Sequence, residues 1–161
     1  MASTIGNLGE QLVIDWLRAN SYRILHHSWG CRWGELDIVA LDLSDRTLAF
    51  IEVKTRSSSN WDQDGLLAVS SSKQNKIIRS AELFISQNSY YADFYMRFDV
   101  ALVRYTKCPE KIDQKLNSEL SEQGRVTCIS SLATSSSLYS LSSPNYQLHL
   151  IEYLVNAFEC C

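Results

Sequence analysis

At 161 residues, 45% hydrophobic and 20% charged, the chain has the composition of an ordinary globular domain and not of a disordered one. A net charge of −3 excludes a wholesale basic coat, so nucleic acid would have to be met by a local basic surface. No run approaches the ~18 apolar residues of a membrane-spanning helix, and the first apolar run carries Glu10 and Asp15, unlike a signal peptide.

These bounds predict one domain over residues 1–161, cytoplasmic and without a membrane partner. The five cysteines, Cys31, Cys108, Cys128, Cys160 and Cys161, are odd in number and contain no CxxC. They form neither a disulfide framework nor a zinc site. The adjacent pair at the end reads as an untreated tail.

From about Thr4 to Asn20 the spacing predicts a helix. Leu8, Leu12 and Trp16 recur every four residues beside Ile5, Val13 and Leu17. Ser3 or Thr4 can cap its start. Glu10 lies one turn before Val13, Ile14 and Leu17 and so borders the buried face. The pattern leaves two roles open for it, a favourable meeting with the helix dipole or a place in a site.

Tyr22 to Ser28 reads as a short strand or extended lead-in. His26 and His27 would point to opposite sides of it and behave as ordinary polar positions. Trp29 to Gly34 reads as a turn-rich connector, with Trp29 and Trp33 as packing residues or base-stacking platforms.

Gly34 to Arg56 reads as two apolar strands joined by a polar turn. If the hairpin folds between Ser44 and Asp45, residues whose numbers sum to 89 face each other. Asp37 then lies opposite Glu52, and Glu35 opposite Lys54, all on one face. Like charges opposed on a sheet are destabilising, and a buried carboxylate is costly unless paired or bound to metal. Lys54 could simply pair with Glu35 or Glu52 while Asp37 reaches water. The sharper account is a hard divalent cation between Asp37 and Glu52, Mg²⁺ with Mn²⁺ as an alternative, since the cluster is all oxygen.

Arg56 to Ser72 is polar and loop-like. A second helix follows from about Ser71 to Gln87, with Ile77, Ala81 and Phe84 on its apolar face and Ser70 to Ser72 as caps. Lys73, Lys76 and Arg79 crowd its first half, where they oppose the helix dipole. That placement suggests an anionic partner, with a solvated face as the plain alternative. Lys73 sits a turn before Ile77, within reach of the carboxylates.

Phe94 to Tyr105 predicts a strand whose Val100 to Val103 is buried on both faces. Arg97 and Asp99, on one face just ahead of it, read as an internal ion pair. Thr106 to Gly124 is charged and weakly patterned, and Arg125 to Ile129 reads as a short edge strand. The Ser-rich Leu132 to Tyr146 reads as a loop. Gln147 to Phe158 places Leu150, Leu154 and Phe158 at helical spacing and reads as a lead-in to a closing helix. Together the elements predict an α/β protein: a mixed sheet flanked by helices, in the order helix, three strands, helix, strand.

A helix carrying a Glu, an Asp on one strand and Glu-x-Lys on the next resembles the PD-(D/E)xK nuclease superfamily, with its restriction-endonuclease-like fold and α-β-β-β-α-β core. GNLGEQLVIDWL, WGELDIVA, FIEVKTR, the Lys73 helix, RFDVALV and a terminal NAF resemble, in that order, the YraN-like family of predicted endonuclease-like proteins. The blocks span most of residues 5–105 and the last dozen. Alone, Glu-x-Lys is a weak signal.

The resemblance implies a metal-dependent nuclease acting on DNA, more readily than on RNA, with branched or damaged DNA among the substrates and a homodimer among the states it could take. Asp37 and Glu52 match the metal-binding carboxylates, and Glu10 matches a first-helix acid that completes the site. Lys54 matches the motif lysine, which orients or activates the attacking water. Lys73 matches a basic position near the scissile phosphate, and Lys76 and Arg56 join it as nucleic-acid contacts. A catalytically silent nucleic-acid-binding or assembly module on the same fold is the alternative. The chain departs from the family after Tyr105, where a Ser-rich insertion around residues 106–146 precedes the NAF block.

Overall fold

The computed structural model describes residues 4–58, 69–108 and 138–159. Helix α1 (Ile5–Ala19) starts where Thr4, in extended backbone, accepts the Asn7 N–H. Strands β1 (Tyr22–Cys31), β2 (Gly34–Asp42) and β3 (Thr47–Ser57) follow as a meander. Helix α2 (Ser71–Gln87), capped by Ser70, crosses back so that β4 (Tyr95–Lys107) lies parallel to β3. A single 3₁₀ turn at Ser89–Tyr91 links them. Strands β5 (Tyr139–Ser142) and β6 (Tyr146–Phe158) complete a six-stranded mixed sheet in the order β1-β2-β3-β4-β6-β5.

Among the described residues, one α-helix covers each face. Against α1, Leu12, Val13 and Leu17 pack on Ile38, Ala40, Ala49, Ile51, Ala101 and Val103. Against α2, Ile77, Ala81 and Phe84 pack on Val39, Leu48, Phe50, Val100 and Leu102. Alternate residues of β3 and β4 feed opposite layers, which is why both strands read as unbroken apolar runs. This arrangement is compatible with a restriction-endonuclease-like fold.

The hairpin register expected from sequence is the observed one. Ile38 pairs with Ile51, Val39 with Phe50 and Asp42 with Thr47, each pair summing to 89. The ladder ends at Ile38 and Ile51, however, so neither expected pair beyond it forms: Asp37 takes the Val53 N–H on its side chain instead of pairing with Glu52, and Glu35 does not come to face Lys54. Glu35 pairs with Gly30 across to β1 and is exposed, while Lys54 turns to Glu52.

Three further expectations change. β1 continues through Trp29–Cys31, because Trp29 pairs with Leu36 and extends the ladder beyond the supposed connector. β3 runs on to Ser57 alongside β4, and residues 59–68 of the expected loop lie outside the described residues. The last described element, β6, is a strand and not the expected closing helix. Leu150, Leu154 and Phe158 are four apart, but pairing with β4 makes the segment a strand whose register shifts: Leu150 packs in the α1-side core, and Leu154 and Phe158 in the α2-side core.

The Ser-rich segment is also not all loop, since Tyr139–Ser142 forms an edge strand on β6. The expected strand at Arg125 to Ile129, most of the segment from Thr106 to Gly124 and the terminal cysteine pair lie outside the described residues. Among the described residues no helix is long and apolar enough to cross a membrane.

Asp99 anchors the end of the sheet. Fully buried, it accepts Arg97 Nε at 3.0 Å, the Tyr153 hydroxyl at 2.7 Å and the Asn156 N–H at 2.9 Å. Asn156 adopts φ 53°, a left-handed turn that asparagine tolerates, and Phe158 then stacks on Phe98 at 5.2 Å. The terminal NAF block is thus a clasp between β6 and β4.

Candidate active site at the mouth of the sheet

Where β2 leaves β3, the ladder bond is replaced by a side chain: the Val53 N–H donates to Asp37 Oδ2 at 2.8 Å. On the next strand Glu52, only 4% exposed, lies between two ammonium groups. Lys54 Nζ is 2.7 Å from one carboxylate oxygen and Lys73 Nζ is 3.2 Å from the other. The first is a neighbour two residues along β3. The second arrives from the first turn of α2, so the crossover connection delivers it.

The electrostatics are lopsided. Both lysines engage Glu52, while Asp37 is mostly enclosed and faces its charge. Burial, and then the Glu52 charge, push the Asp37 carboxyl up to about 7. The Val53 hydrogen bond and Lys73 act against that rise, and Glu10 adds to it. Such a cluster lacks positive charge at Asp37, which is where a cation would be stabilised.

Glu10 comes from the other face of the sheet. It is held by His27 Nε2 at 2.6 Å and by the Ser28 hydroxyl at 3.2 Å. Ser28 has φ 52°, and a register shift between Ile24 and His26 sends His26 the other way, edge-on to Phe84. The two histidines do point to opposite sides, but His27 is a partner of the first-helix acid and not an ordinary polar position. Only the contact across 17 residues reveals it.

Glu10 is placed by its neighbour. Gly9 lies flat against Thr55, and a Cβ at Gly9 would overlap the Thr55 hydroxyl. Helix α1 therefore meets β3 one residue from Lys54. Arg56 shares the side-chain parity of Glu52 and Lys54 and is exposed, as is Lys76.

Asp37, Glu52, Lys54 and Lys73 thus gather at one place, with Glu10 nearby but tied to His27. Among the described residues no three His, Cys, Asp or Glu side chains converge closely enough to hold a metal ion. The donor set that does form is a carboxylate pair, all oxygen, with both ammonium groups on Glu52. That chemistry fits a hard divalent cation.

Fold and cluster together define a mixed α/β protein with paired carboxylates and lysines at the parting of two central strands. The chain belongs to the uncharacterised protein family UPF0102, whose model matches residues 9–103. It is 45% identical to a UPF0102 protein of Trichodesmium erythraeum over 95% of this chain and 87% of that one. It is 40% identical to one of Trichormus variabilis over 97% and 95%. A relative in Thermosynechococcus vestitus, 48% identical, aligns with 64% of this chain and 82% of its own. The first two alignments take in nearly the whole chain, so those relatives share the stretch after Tyr105.

Proposed function

We propose that this protein is a metal-dependent nuclease that hydrolyses phosphodiester bonds in DNA, working in the cytoplasm on a PD-(D/E)xK-type site. The observation that carries the proposal is the uneven pairing of the carboxylates, with both lysines on Glu52. Asp37, pushed up to about 7 by burial and then by the Glu52 charge, lies where the central strands β2 and β3 part, and two lysines engage Glu52. A fold gains nothing from such repulsion unless a ligand relieves it.

Asp37 and Glu52 would hold Mg²⁺ or Mn²⁺, with Glu10 joining after release from His27. When bound, the ion supplies polarisation of the phosphate and a more acidic water. Lys54 sits on the carboxylate oxygen at 2.7 Å, where its ammonium can orient the attacking water and steady charge gathering on the phosphate. Lys73 offers a second positive charge from α2. Glu52 keeps both ammonium groups at the site, and the Val53 amide fixes the Asp37 carboxylate against rotation. Branched or damaged DNA would meet the site where the two central strands part.

A specific observation favours the alternative, a nucleic-acid-binding or assembly module without turnover. Glu52 is already matched by two lysines, and Glu10 is turned toward His27. Cleavage separates the two. Wild type incubated with Mg²⁺ or Mn²⁺ and linear, branched or single-stranded DNA is expected to cut at least one substrate. Asp37→Ala and Lys54→Ala are expected to lose about 10²-fold or more. Variants that cut as fast as wild type would rule this site out.

A further inference from the structure

Beside the carboxylate cluster, the turn between β1 and β2 faces the outer side of α2 across a shallow groove. Its volume is about 640 Å³, and it is lined by Arg32, Trp33, Ser72, Asn75, Lys76 and Arg79. A second hollow of about 360 Å³ shares Arg32, Trp33 and Arg79. The Arg32 and Arg79 guanidinium carbons lie 4.9 and 4.8 Å from the centroid of the same indole, Trp33. The indole face favours each cation, yet it brings two like charges together on the surface of a chain whose net charge is −3.

The walls of the groove are pinned. Cys31 Sγ donates to the Ser80 hydroxyl at 3.2 Å, tying the end of β1 to α2, and the Trp33 N–H donates to Cys31 Sγ at 3.4 Å. The backbone of the turn is therefore tied to α2, and the Trp33 indole gathers both guanidinium groups before any ligand arrives, which lowers the ordering cost of binding.

The same helix connects groove to cluster. Lys73 contacts Glu52, and Lys76 and Arg79 follow at three-residue steps. Six residues of helix span ~9 Å, or two to three nucleotides at the ~3.4 Å rise per strand of a duplex.

We propose that this groove seats the phosphate backbone of a nucleic-acid strand, with Arg32, Lys76 and Arg79 contacting phosphates two to three nucleotides from the carboxylate cluster. Guanidinium groups match phosphate oxygens in paired hydrogen bonds, and the polar Ser72 and Asn75 suit the sugar–phosphate edge. The proposal rests on the nuclease reading for its substrate but can be tested without cleavage.

The test is fluorescence anisotropy of the intact chain with fluorescein-labelled 20-nucleotide single-stranded and duplex DNA, in EDTA, over a salt series. Combining Arg32→Ala with Arg79→Ala is expected to weaken binding at least tenfold. It should also flatten the dependence of log affinity on log salt by about two, one for each lost phosphate contact. Arg32→Lys with Arg79→Lys should recover most of the slope, while Arg18→Ala on α1 should leave affinity unchanged.

Wild-type affinity in the alanine variant, or no binding by wild type at low salt, would overturn the proposal. So would competition by poly-glutamate as strong as by unlabelled DNA, since the occupant would then be an acidic protein. If the alanine variant binds like wild type while wild type cuts DNA, the groove is wrong and the nuclease reading stands. If binding depends on the arginines and no substrate is cut, the groove stands and the nuclease reading fails.

Discussion

Gly9 of helix α1 lies against Thr55 of strand β3 so closely that a Cβ would overlap the Thr55 hydroxyl, whose oxygen is buried without a hydrogen-bond partner among the described residues. The contact sets the distance between the helix that carries Glu10 and the strand that carries Glu52 and Lys54. Gly9→Ala is expected to destabilise the protein by about 1–3 kcal/mol, because the helix must move off the sheet. Thr55→Val removes an unsatisfied hydroxyl with little change of shape and is expected to stabilise by about 1 kcal/mol. Urea unfolding of both variants checks the pair.

The Asp37 carboxyl gives stability a definite dependence on pH. Its ordinary value is 3.8, and in the fold burial and then the Glu52 charge raise it to about 7. Below pH ~4 both folded and unfolded chains hold the proton. Between ~4 and ~7 the unfolded chain releases a proton that the fold retains, so stability falls as pH rises. Above ~7 the loss is constant. Asp37→Asn should therefore raise the melting temperature most at pH 8 and little at pH 4, in EDTA. Mg²⁺ must displace that proton, so its stabilisation of wild type should be larger at pH 8 than at pH 6 and absent in Asp37→Asn. Equal effects at both pH values would contradict the assignment.

His27 holds Glu10 at 2.6 Å. If Glu10 joins an ion at Asp37 and Glu52, that bond must first be surrendered. His27→Ala removes the competitor, so the variant should reach half-maximal Mg²⁺ stabilisation at a several-fold lower concentration than wild type. Calorimetric Mg²⁺ titration of the two proteins measures this. An unchanged or weakened affinity would make His27 a support for Glu10 and not a restraint on it.

Asp99 is fully buried among Arg97, Tyr153 and the Asn156 amide. Asp99→Ala would leave the half-buried Arg97 without its main counter-charge and the Tyr153 hydroxyl without its acceptor. A loss of about 3–5 kcal/mol is expected, read by chemical denaturation. Asn156→Ala should cost less, because the bond to Asp99 comes from its backbone N–H, and the loss should reflect strain at φ 53°.

The sequence alone determined what depends on neighbours along the chain. Helices α1 and α2 and the β2–β3 register follow from side-chain periodicity and turn placement, while the structure picks Thr4 and Ser70 from the caps the sequence offers. With that register, Asp37 and Glu52 are drawn to the same end of the hairpin. These are interactions within about four residues or across a short turn, and apolar spacing records them directly. Even there the reading reached too far, because the ladder ends at Ile38 and leaves both Asp37 and Glu35 outside it.

Tertiary structure decided what joins distant segments. Residues Leu150, Leu154 and Phe158 have helical spacing, yet pairing with β4 makes the segment a strand, with Leu150 in one core layer and Leu154 and Phe158 in the other. Glu10 meets His27 from 17 positions away, Lys73 reaches Glu52 from across the crossover, and Arg32 shares an indole with Arg79 from 47 positions away. An acidic chain can therefore carry a local basic groove that its net charge conceals. Charge composition sums over the whole chain, whereas a binding surface depends on which few side chains the fold sets side by side.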